Sequence, residues 1–146
     1  MSLNDNIRLI ERLYAEGINR QDAAAGAAFY AQNAKNHGRT VGRAGMQKVF
    51  EALFAAFPDL NYRVIESTSE GDRVVCKVIM TATHRGKPTS PHVFAGMLAN
   101  PVPTGKRVEV LHFHSFRIAG GEIAEHAAVR DDLEMMFQLG LVPRPA

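Results

Sequence analysis

Residues 107–131, RVEVLHFHSFRIAGGEIAEHAAVRD, contain two strand-like segments joined by two glycines. Side chains alternate along 107–118 and 122–130 with the two-residue period of a strand that is covered on one face. Gly120 and Gly121 between them supply the positive φ angles of a two-residue hairpin turn. The stretch therefore predicts an antiparallel hairpin.

The predicted turn decides which side chains of the hairpin share a face. With Gly120-Gly121 as a two-residue turn, Ile118 opposes Ile123, and every second residue from there lies on the same side. We predict that this side faces the interior, because Arg117 and Arg130 lie on the other. The predicted interior residues are His112, His114, Phe116, Ile118, Ile123, Glu125, Ala127 and Val129. The predicted outer residues are Leu111, Phe113, Ser115, Arg117, Ala124, His126, Ala128 and Arg130. A register shift of one residue would reverse this assignment.

Two further strands and a long loop precede the hairpin. Residues 60–66 alternate, and Glu-Gly-Asp-Arg at 70–73 is a turn signal. Residues 74–84 are almost continuously apolar, which predicts a central strand. On that strand His84 shares the interior face with Val74, Cys76, Val78, Met80 and Ala82. Residues 86–105 contain four prolines and three glycines, and they predict a loop of functional length.

Helical patterns occupy the first part of the chain and its end. A first amphipathic helix is predicted from the apolar set Ile7, Ile10, Leu13, Tyr14 and Ile18. Asp22 is predicted to cap an alanine-rich helix over residues 23–31. A third helix, ended by Pro58, is predicted to bury one apolar stripe over the sheet: Met46, Val49, Phe50, Leu53, Phe54 and Phe57. Asp131 starts a last short helix.

Helices followed by an antiparallel meander predict one α+β domain over residues 1–146. We expect a cone-shaped, curved antiparallel sheet with the N-terminal helices on its concave face around a pocket. The net charge is +2 with scattered basic residues, which argues against nucleic-acid binding. The lone Cys76 excludes a disulfide framework. The N-terminus lacks an apolar signal segment and no span is long enough for a membrane, so we expect a cytoplasmic protein with no membrane partner.

The predicted interior face carries the candidate acid–base groups His84, His112, His114 and Glu125. Apolar surroundings move the pKa values of carboxylates and imidazoles towards neutrality, as general acid–base chemistry requires. Each histidine can equally be a structural residue, and Glu125 can simply pair with one of them. Asp131 and Glu134 also have the spacing of a helix capping box. The pair His112 and His114 alone is a weak metal motif, so no metal is predicted.

Three segments resemble the SnoaL-like polyketide cyclases, also called predicted ester cyclases. They are FEALFAAFPDLNYRVIESTSEGDRVVCKVIMTATHRG, PTGKRVEVLHFHSFRI and FRIAGGEIAEHAAVRDDLEMMFQLGLVP, in the family's order from about Arg43 to Pro143. The resemblance implies a fold like nuclear transport factor 2, with a deep pocket. It also implies that the protein catalyses intramolecular aldol cyclisation without a cofactor or metal. In the family, an acidic residue late in the chain acts as acid and base, and histidines and asparagines of the pocket assist it.

The family's acid falls at Asp131 or at the position of Ala128, and in the second case this chain lacks it. Relatives usually carry tryptophan at the position of Ala127 and often aspartate at that of Ala128. The loop between His84 and Pro103 is longer than usual. These departures suggest a different substrate or a lost cyclase activity. The predicted substrate-binding residues are His37, Phe50, Phe54, His112 and Phe116.

Two functional hypotheses follow. In the first, Asp131 or a His114–Glu125 pair removes a proton next to a carbonyl, and His84 hydrogen-bonds the enolate oxygen, in a cofactor-independent cyclase, isomerase or lyase acting on a polyketide-like substrate. In the second, the domain is a non-catalytic binding module for a small apolar ligand. Leu111 and Phe113 on the outer sheet face predict a homodimer.

Overall fold

The four predicted strands are consecutive neighbours in one sheet. A computed structural model describes residues 3–146. Its six strands lie in the order β2-β1-β6-β5-β4-β3, in a curved sheet that does not close. The strands are Tyr30–Asn36 (β1), Arg39–Thr40 (β2), Asn61–Glu70 (β3), Arg73–Thr83 (β4), Arg107–Ala119 (β5) and Glu122–Arg130 (β6). The helices are Leu3–Arg12 (α1), Ala23–Ala27 (α2), Gly42–Ala56 (α3) and Asp132–Gln138 (α4). The predicted α+β class is confirmed.

The N-terminal helices place one aromatic side chain over the sheet. After α1 the chain continues through a π-helical turn, Leu13–Gly17, and a 3₁₀ turn, Ile18–Arg20. Tyr14 in the π-helical turn is buried, and its ring contacts Tyr62 edge-on at 5.5 Å between centroids. Gly17 permits the following helix to approach, because a Cβ there would lie 2.5 Å from Gly26 Cα.

The predicted second helix is too long. It is capped by Asp22 as expected, whose side chain accepts a hydrogen bond from Ala25 N, but it ends at Ala27. Residues 30–36 form β1 instead, and β1 pairs with β6 in parallel, so the sheet is not wholly antiparallel. Alanine's helix preference is worth only tenths of a kcal/mol per residue. Burial of Tyr30 and pairing with β6 outweigh it, and neither is visible in the local sequence.

The third helix covers the sheet with only part of its predicted stripe. Met46, Phe50 and the following Phe57 are buried. Val49, Leu53 and Phe54 are only partly buried against the core. The expectation that all six are buried is therefore wrong for these three, because the curved sheet lies under one side of the helix. Truncation of Phe54 should cost less than the roughly 3–5 kcal/mol of a fully buried phenylalanine.

The hairpin turn forms as predicted, but the strands after it are offset by one residue. Gly120 and Gly121 have φ angles of 59° and 76°, and Ile118 opposes Ile123. One pair further along, Arg117 opposes Glu125, so Ala124 is an extra residue in β6. This β-bulge reverses the faces of β6 beyond it. The predicted interior face of β5 is correct, whereas the predicted interior face of β6 from Glu125 onwards is wrong.

The loop over residues 86–105 buries Val93, Phe94 and Leu98 in the core. Its turn Val93–Gly96 contains three successive left-handed residues, with Phe94 at φ 51°, Ala95 at 53° and Gly96 at 80°. Phe94 is nevertheless buried, with only 4% of its surface exposed, and its ring lies edge-on to Phe57 at 5.7 Å between ring centres.

No helix within residues 3–146 combines the length and the apolar character of a membrane span.

Candidate functional site

Three histidines and a tyrosine form a continuous row of hydrogen bonds across the interior. The Tyr30 hydroxyl lies 2.9 Å from His126 Nδ1. His126 Nε2 lies 2.8 Å from His114 Nδ1, and His114 Nε2 lies 3.2 Å from His112 Nδ1. We call His126, His114 and His112 the histidine row. It exists because the bulge turns His126 towards the β5 histidines, which alternate on the interior face.

Burial keeps the histidine row uncharged at neutral pH. Loss of hydration and the nearby Arg130 guanidinium lower the pKa of His112 to about 3. Loss of hydration, together with the charges of His37 and Arg130, lowers the pKa of His126 to about 3. The pKa of His114 lies well below its usual value for the same reason, with the neighbouring imidazoles adding to the effect. Neutral imidazoles of this kind donate hydrogen bonds or accept them, but they are poor bases near pH 7.

Two polar atoms near the row are buried without a hydrogen-bond partner. They are His112 Nε2, at the free end of the row, and the Tyr14 hydroxyl. The Tyr14 ring contacts His114 edge-on at 6.2 Å, and burial holds the pKa of its hydroxyl well above the usual value. A buried polar atom without a partner is rare and costly in folded proteins. A polar group that reached either atom would supply its missing hydrogen bond.

An ion pair and an aromatic ring lie at the His112 end of the histidine row. Arg130 opposes His112 across the β5–β6 ladder. Its guanidinium donates from Nε and Nη2 to the two Asp132 carboxylate oxygens, each at 3.1 Å. The same guanidinium lies 5.1 Å from the ring centre of Phe94. Burial raises the pKa of the Tyr62 hydroxyl, and the nearby Asp132 carboxylate also opposes its ionisation. A carboxylate, a cation and the loop residue Phe94 thus lie together at this end of the row.

Glu125 does not face the interior. Its carboxylate lies 3.4 Å from Arg117 Nε and 3.7 Å from Arg73 Nη2 on the convex face. There it borders a surface groove of about 190 Å³, together with Lys35 and Ser115. The predicted His114–Glu125 pair is therefore absent from the structure, because the bulge places His126 where Glu125 was expected.

The other predicted acid–base residues are separated from the row. Asp131 is exposed and caps α4, accepting a hydrogen bond from Glu134 N at 3.2 Å. His84 is buried as predicted, but it lies far from His112. The partner of His112 on β4 is Val78, and His84 comes six residues later in the chain. Six residues span roughly 20 Å along a strand. His84 Nδ1 accepts from Thr104 N at 3.2 Å, while its Nε2 has no partner.

The predicted substrate-binding residues divide into two groups. His112 and Phe116 lie on the interior face, where the Phe116 ring stacks on His126 at 4.3 Å. The ring centre of Phe50 lies 5.8 Å from that of Tyr30, and the Phe54 ring stacks on Phe50 at 6.4 Å between ring centres. His37 is exposed at the rim, where its backbone N–H donates to the His126 carbonyl.

Sequence reasoning missed Tyr30, His126, Arg130 and Asp132. The sequence pattern predicts Tyr30 in a helix and predicts His126 and Arg130 on the outer face. No local signal marks the extra residue at Ala124. Within residues 3–146, no three histidine, cysteine or carboxylate side chains are grouped as ligands of one metal ion.

Comparisons with known proteins agree with this architecture. The family model for SnoaL-like polyketide cyclases matches residues 8–139. The solved structure of AclR from Streptomyces galilaeus, a candidate hydroxylase, is 28% identical with a TM-score of 0.79, over 99% of this chain and 87% of that one. A candidate SnoaL-like polyketide cyclase from Jannaschia sp. CCS1 is 25% identical with a TM-score of 0.77, over 96% and 94% of the two chains. IdmH from Streptomyces antibioticus, a candidate polyketide cyclase, is 26% identical with a TM-score of 0.72, over 92% and 98%. No curated protein sequence matches the chain.

Proposed function

The chain belongs to the SnoaL-like polyketide cyclase family, and from that premise we propose that its interior binds a small carbonyl compound and promotes ring closure by intramolecular aldol addition. The observation that carries this proposal is the buried, unpartnered Nε2 of His112. A neutral imidazole N–H aimed into a site of low polarity is suited to stabilise negative charge that develops on a carbonyl oxygen. Tyr14 offers a second uncharged donor nearby.

The proposed reaction needs a base as well as this donor. A base removes the proton next to one carbonyl, and the resulting enolate carbon forms a bond to a second carbonyl carbon of the same molecule. The alkoxide produced takes the proton back, so the addition is an isomerisation and needs no cofactor. We assign the proton transfer to Asp132, because its carboxylate lies near Tyr62 and beside Arg130, which opposes His112 across the sheet. Asp131 and Glu125 point elsewhere.

Access to this interior requires movement of the loop over residues 86–105. Phe94 lies between Phe57 and the Arg130 guanidinium and is almost fully covered. Its left-handed backbone is a conformation that non-glycine residues adopt only when their contacts compensate. We propose that a ligand enters when Phe94 leaves this position and that its return excludes water from the reaction.

The proposal is tested with a linear 1,5-diketone, whose intramolecular aldol closes a six-membered ring. We expect the protein to accelerate formation of the cyclic product. Replacing His112 with Leu removes the imidazole donor and leaves no other donor in its place, and the rate should fall about 10²–10³-fold, the usual cost of losing one such donor. His92→Leu is the matched control, because His92 is an exposed histidine of the loop.

Equal rates for His112→Leu and the wild type would contradict the role of His112. Saturable binding of the diketone with no product would favour the alternative, a non-catalytic module for a small ligand. Binding is measured independently by the shift of the thermal midpoint with ligand concentration. The two functions are therefore separated by one set of samples.

A further inference from the structure

We infer that Tyr30 is a positioning residue that fixes the proton arrangement of the histidine row, so that His112 presents Nε2–H rather than a lone pair to the interior. Tyr30 is fully buried at the far end of the row from His112. Its ring is held by Phe50 at 5.8 Å. Its backbone carbonyl accepts from Arg43 Nε at 2.8 Å, and Arg43 is paired in turn with Glu122. The hydroxyl is thus aimed at His126 by contacts outside the row.

Each neutral imidazole carries one ring proton, so the row has two possible arrangements. In the first, Tyr30 donates to His126 Nδ1, and each histidine donates from Nε2 to the next, which leaves Nε2–H on His112. In the second, every proton is reversed: each histidine donates from Nδ1, His126 donates to the Tyr30 oxygen, and His112 Nε2 is a bare acceptor. The heavy-atom distances fit both arrangements.

The Tyr30 hydroxyl hydrogen distinguishes the two arrangements. Within residues 3–146, the hydroxyl has no hydrogen-bond partner other than His126 Nδ1. In the second arrangement, its hydrogen would be buried without an acceptor while His112 Nε2 also lacked a donor. In the first arrangement, the only polar hydrogen of the row without an acceptor is the one on His112 Nε2. An unpaired buried donor is costly, so the first arrangement is the more stable one.

Tyr30 therefore acts on His112 through two intervening rings and does not itself reach the ligand. The charged group that faces the row is Arg130, and the titratable rim residue His37 also faces it. Burial and Arg130 lower the pKa of His37, so it is uncharged at pH 7.5. The positive charge of Arg130 opposes a second proton on any imidazole of the row, so each ring keeps one proton. The value of this arrangement for catalysis rests on the proposed function, whereas the arrangement itself does not.

The arrangement predicts the state of each ring nitrogen, which ¹⁵N spectra of the unliganded protein at pH 7.5 report directly. In the wild type we expect His112, His114 and His126 all to carry the proton on Nε2, with each Nδ1 bare. In Tyr30→Phe the two arrangements each leave one bare donor and one bare acceptor, so their free energies become similar. We expect Nδ1–H populations to appear on all three histidines of that variant.

Tyr62→Phe is the matched control, because Tyr62 is also buried and its ring contacts His112 and His114, but it makes no hydrogen bond to the row. Its spectrum should match the wild type. The inference is overturned if wild-type His112 carries its proton on Nδ1, or if Tyr30→Phe and Tyr62→Phe give the same spectrum. If Tyr30→Phe does not fold, the wild-type spectrum still decides between the arrangements. None of these outcomes depends on turnover of a diketone.

Discussion

His114 Nδ1 and His126 Nε2 lie 2.8 Å apart, although the two residues belong to different strands and are twelve positions apart in the chain. Regular pairing from the Gly120-Gly121 turn would place Ala127 beside His114. The extra residue Ala124 shifts the register, so that His114 opposes Ala128 and His126 turns inward. One inserted residue thus replaces a carboxylate with an imidazole in the interior, and it moves Glu125 to the convex face.

This register predicts opposite sensitivities for two adjacent residues of β6. His126→Ala should destabilise the fold by at least about 1–3 kcal/mol, because Tyr30 and His114 each lose a buried hydrogen-bond partner. Glu125→Ala removes only ion pairs to partly exposed arginines and should cost less than about 1 kcal/mol. Urea denaturation of both variants measures the difference. A larger loss for Glu125→Ala would contradict the bulged register.

The buried histidines predict a loss of stability in mild acid. In the unfolded chain, a histidine takes up a proton near pH 6.5. In the folded chain, the pKa of His112 is lowered to about 3 and that of His114 is also well below its usual value. The unfolded state therefore binds more protons below pH 6.5, and stability falls as the pH decreases from there towards 3.

Between pH 7.5 and 5.5 we expect His112, His114 and His126, whose pKa values are all lowered in the folded chain, together to lower the free energy of unfolding by about 4 kcal/mol, at about 1.4 kcal/mol for each histidine. His112→Gln should reduce this contribution by about a third, and the exposed His92→Gln should leave it unchanged. The check is urea denaturation at the two pH values. A free energy of unfolding that stays constant over this range would show that the histidines titrate normally in the folded state.

Asp131 and Asp132 have different predicted roles although they are adjacent. Asp131→Ala should cost about 0.5–2 kcal/mol through loss of the α4 cap, and Asp131→Asn much less, because asparagine also caps helices. Asp132→Asn should instead lower diketone turnover by orders of magnitude with little change in the cap. Thermal melts and rates on the same four proteins, wild type included, separate the roles. Loss of turnover in Asp131→Asn alone would assign the acid to Asp131.

The convex face of the sheet predicts self-association. Phe113 and Val129 oppose each other there and are 44% and 77% exposed. We expect a homodimer through this face, because adjacent exposed apolar side chains on a sheet favour burial against a second copy. Light scattering at micromolar concentration should give twice the 16.0 kDa chain mass. Val129→Glu should give the monomer mass, whereas Val102→Glu, at an equally exposed valine of the loop, should not. A monomeric wild type would refute the prediction.

The local sequence determined most of the helices and strands, and it determined which residues of β5 face the candidate site. The alternation in 107–118 placed His112, His114 and Phe116 on one face of β5, as the structure confirms, because a strand has a fixed two-residue period. The turn at Gly120-Gly121 and the caps at Asp22 and Asp131 also follow from local rules, since each depends on atoms within a few residues. Family membership followed from the order of three segments.

Tertiary structure alone decided which residues of β6 complete the site. The bulge at Ala124 has no local sequence signature, because alanine fits a regular strand and a bulge equally well. The position of the bulge is set by the pairing of β6 with β5 on one edge and with β1 on the other. The strand character of Tyr30 was likewise fixed by a distant partner rather than by its alanine-rich neighbours. The row from Tyr30 to His112 therefore depends on long-range pairing, which no short window of sequence contains.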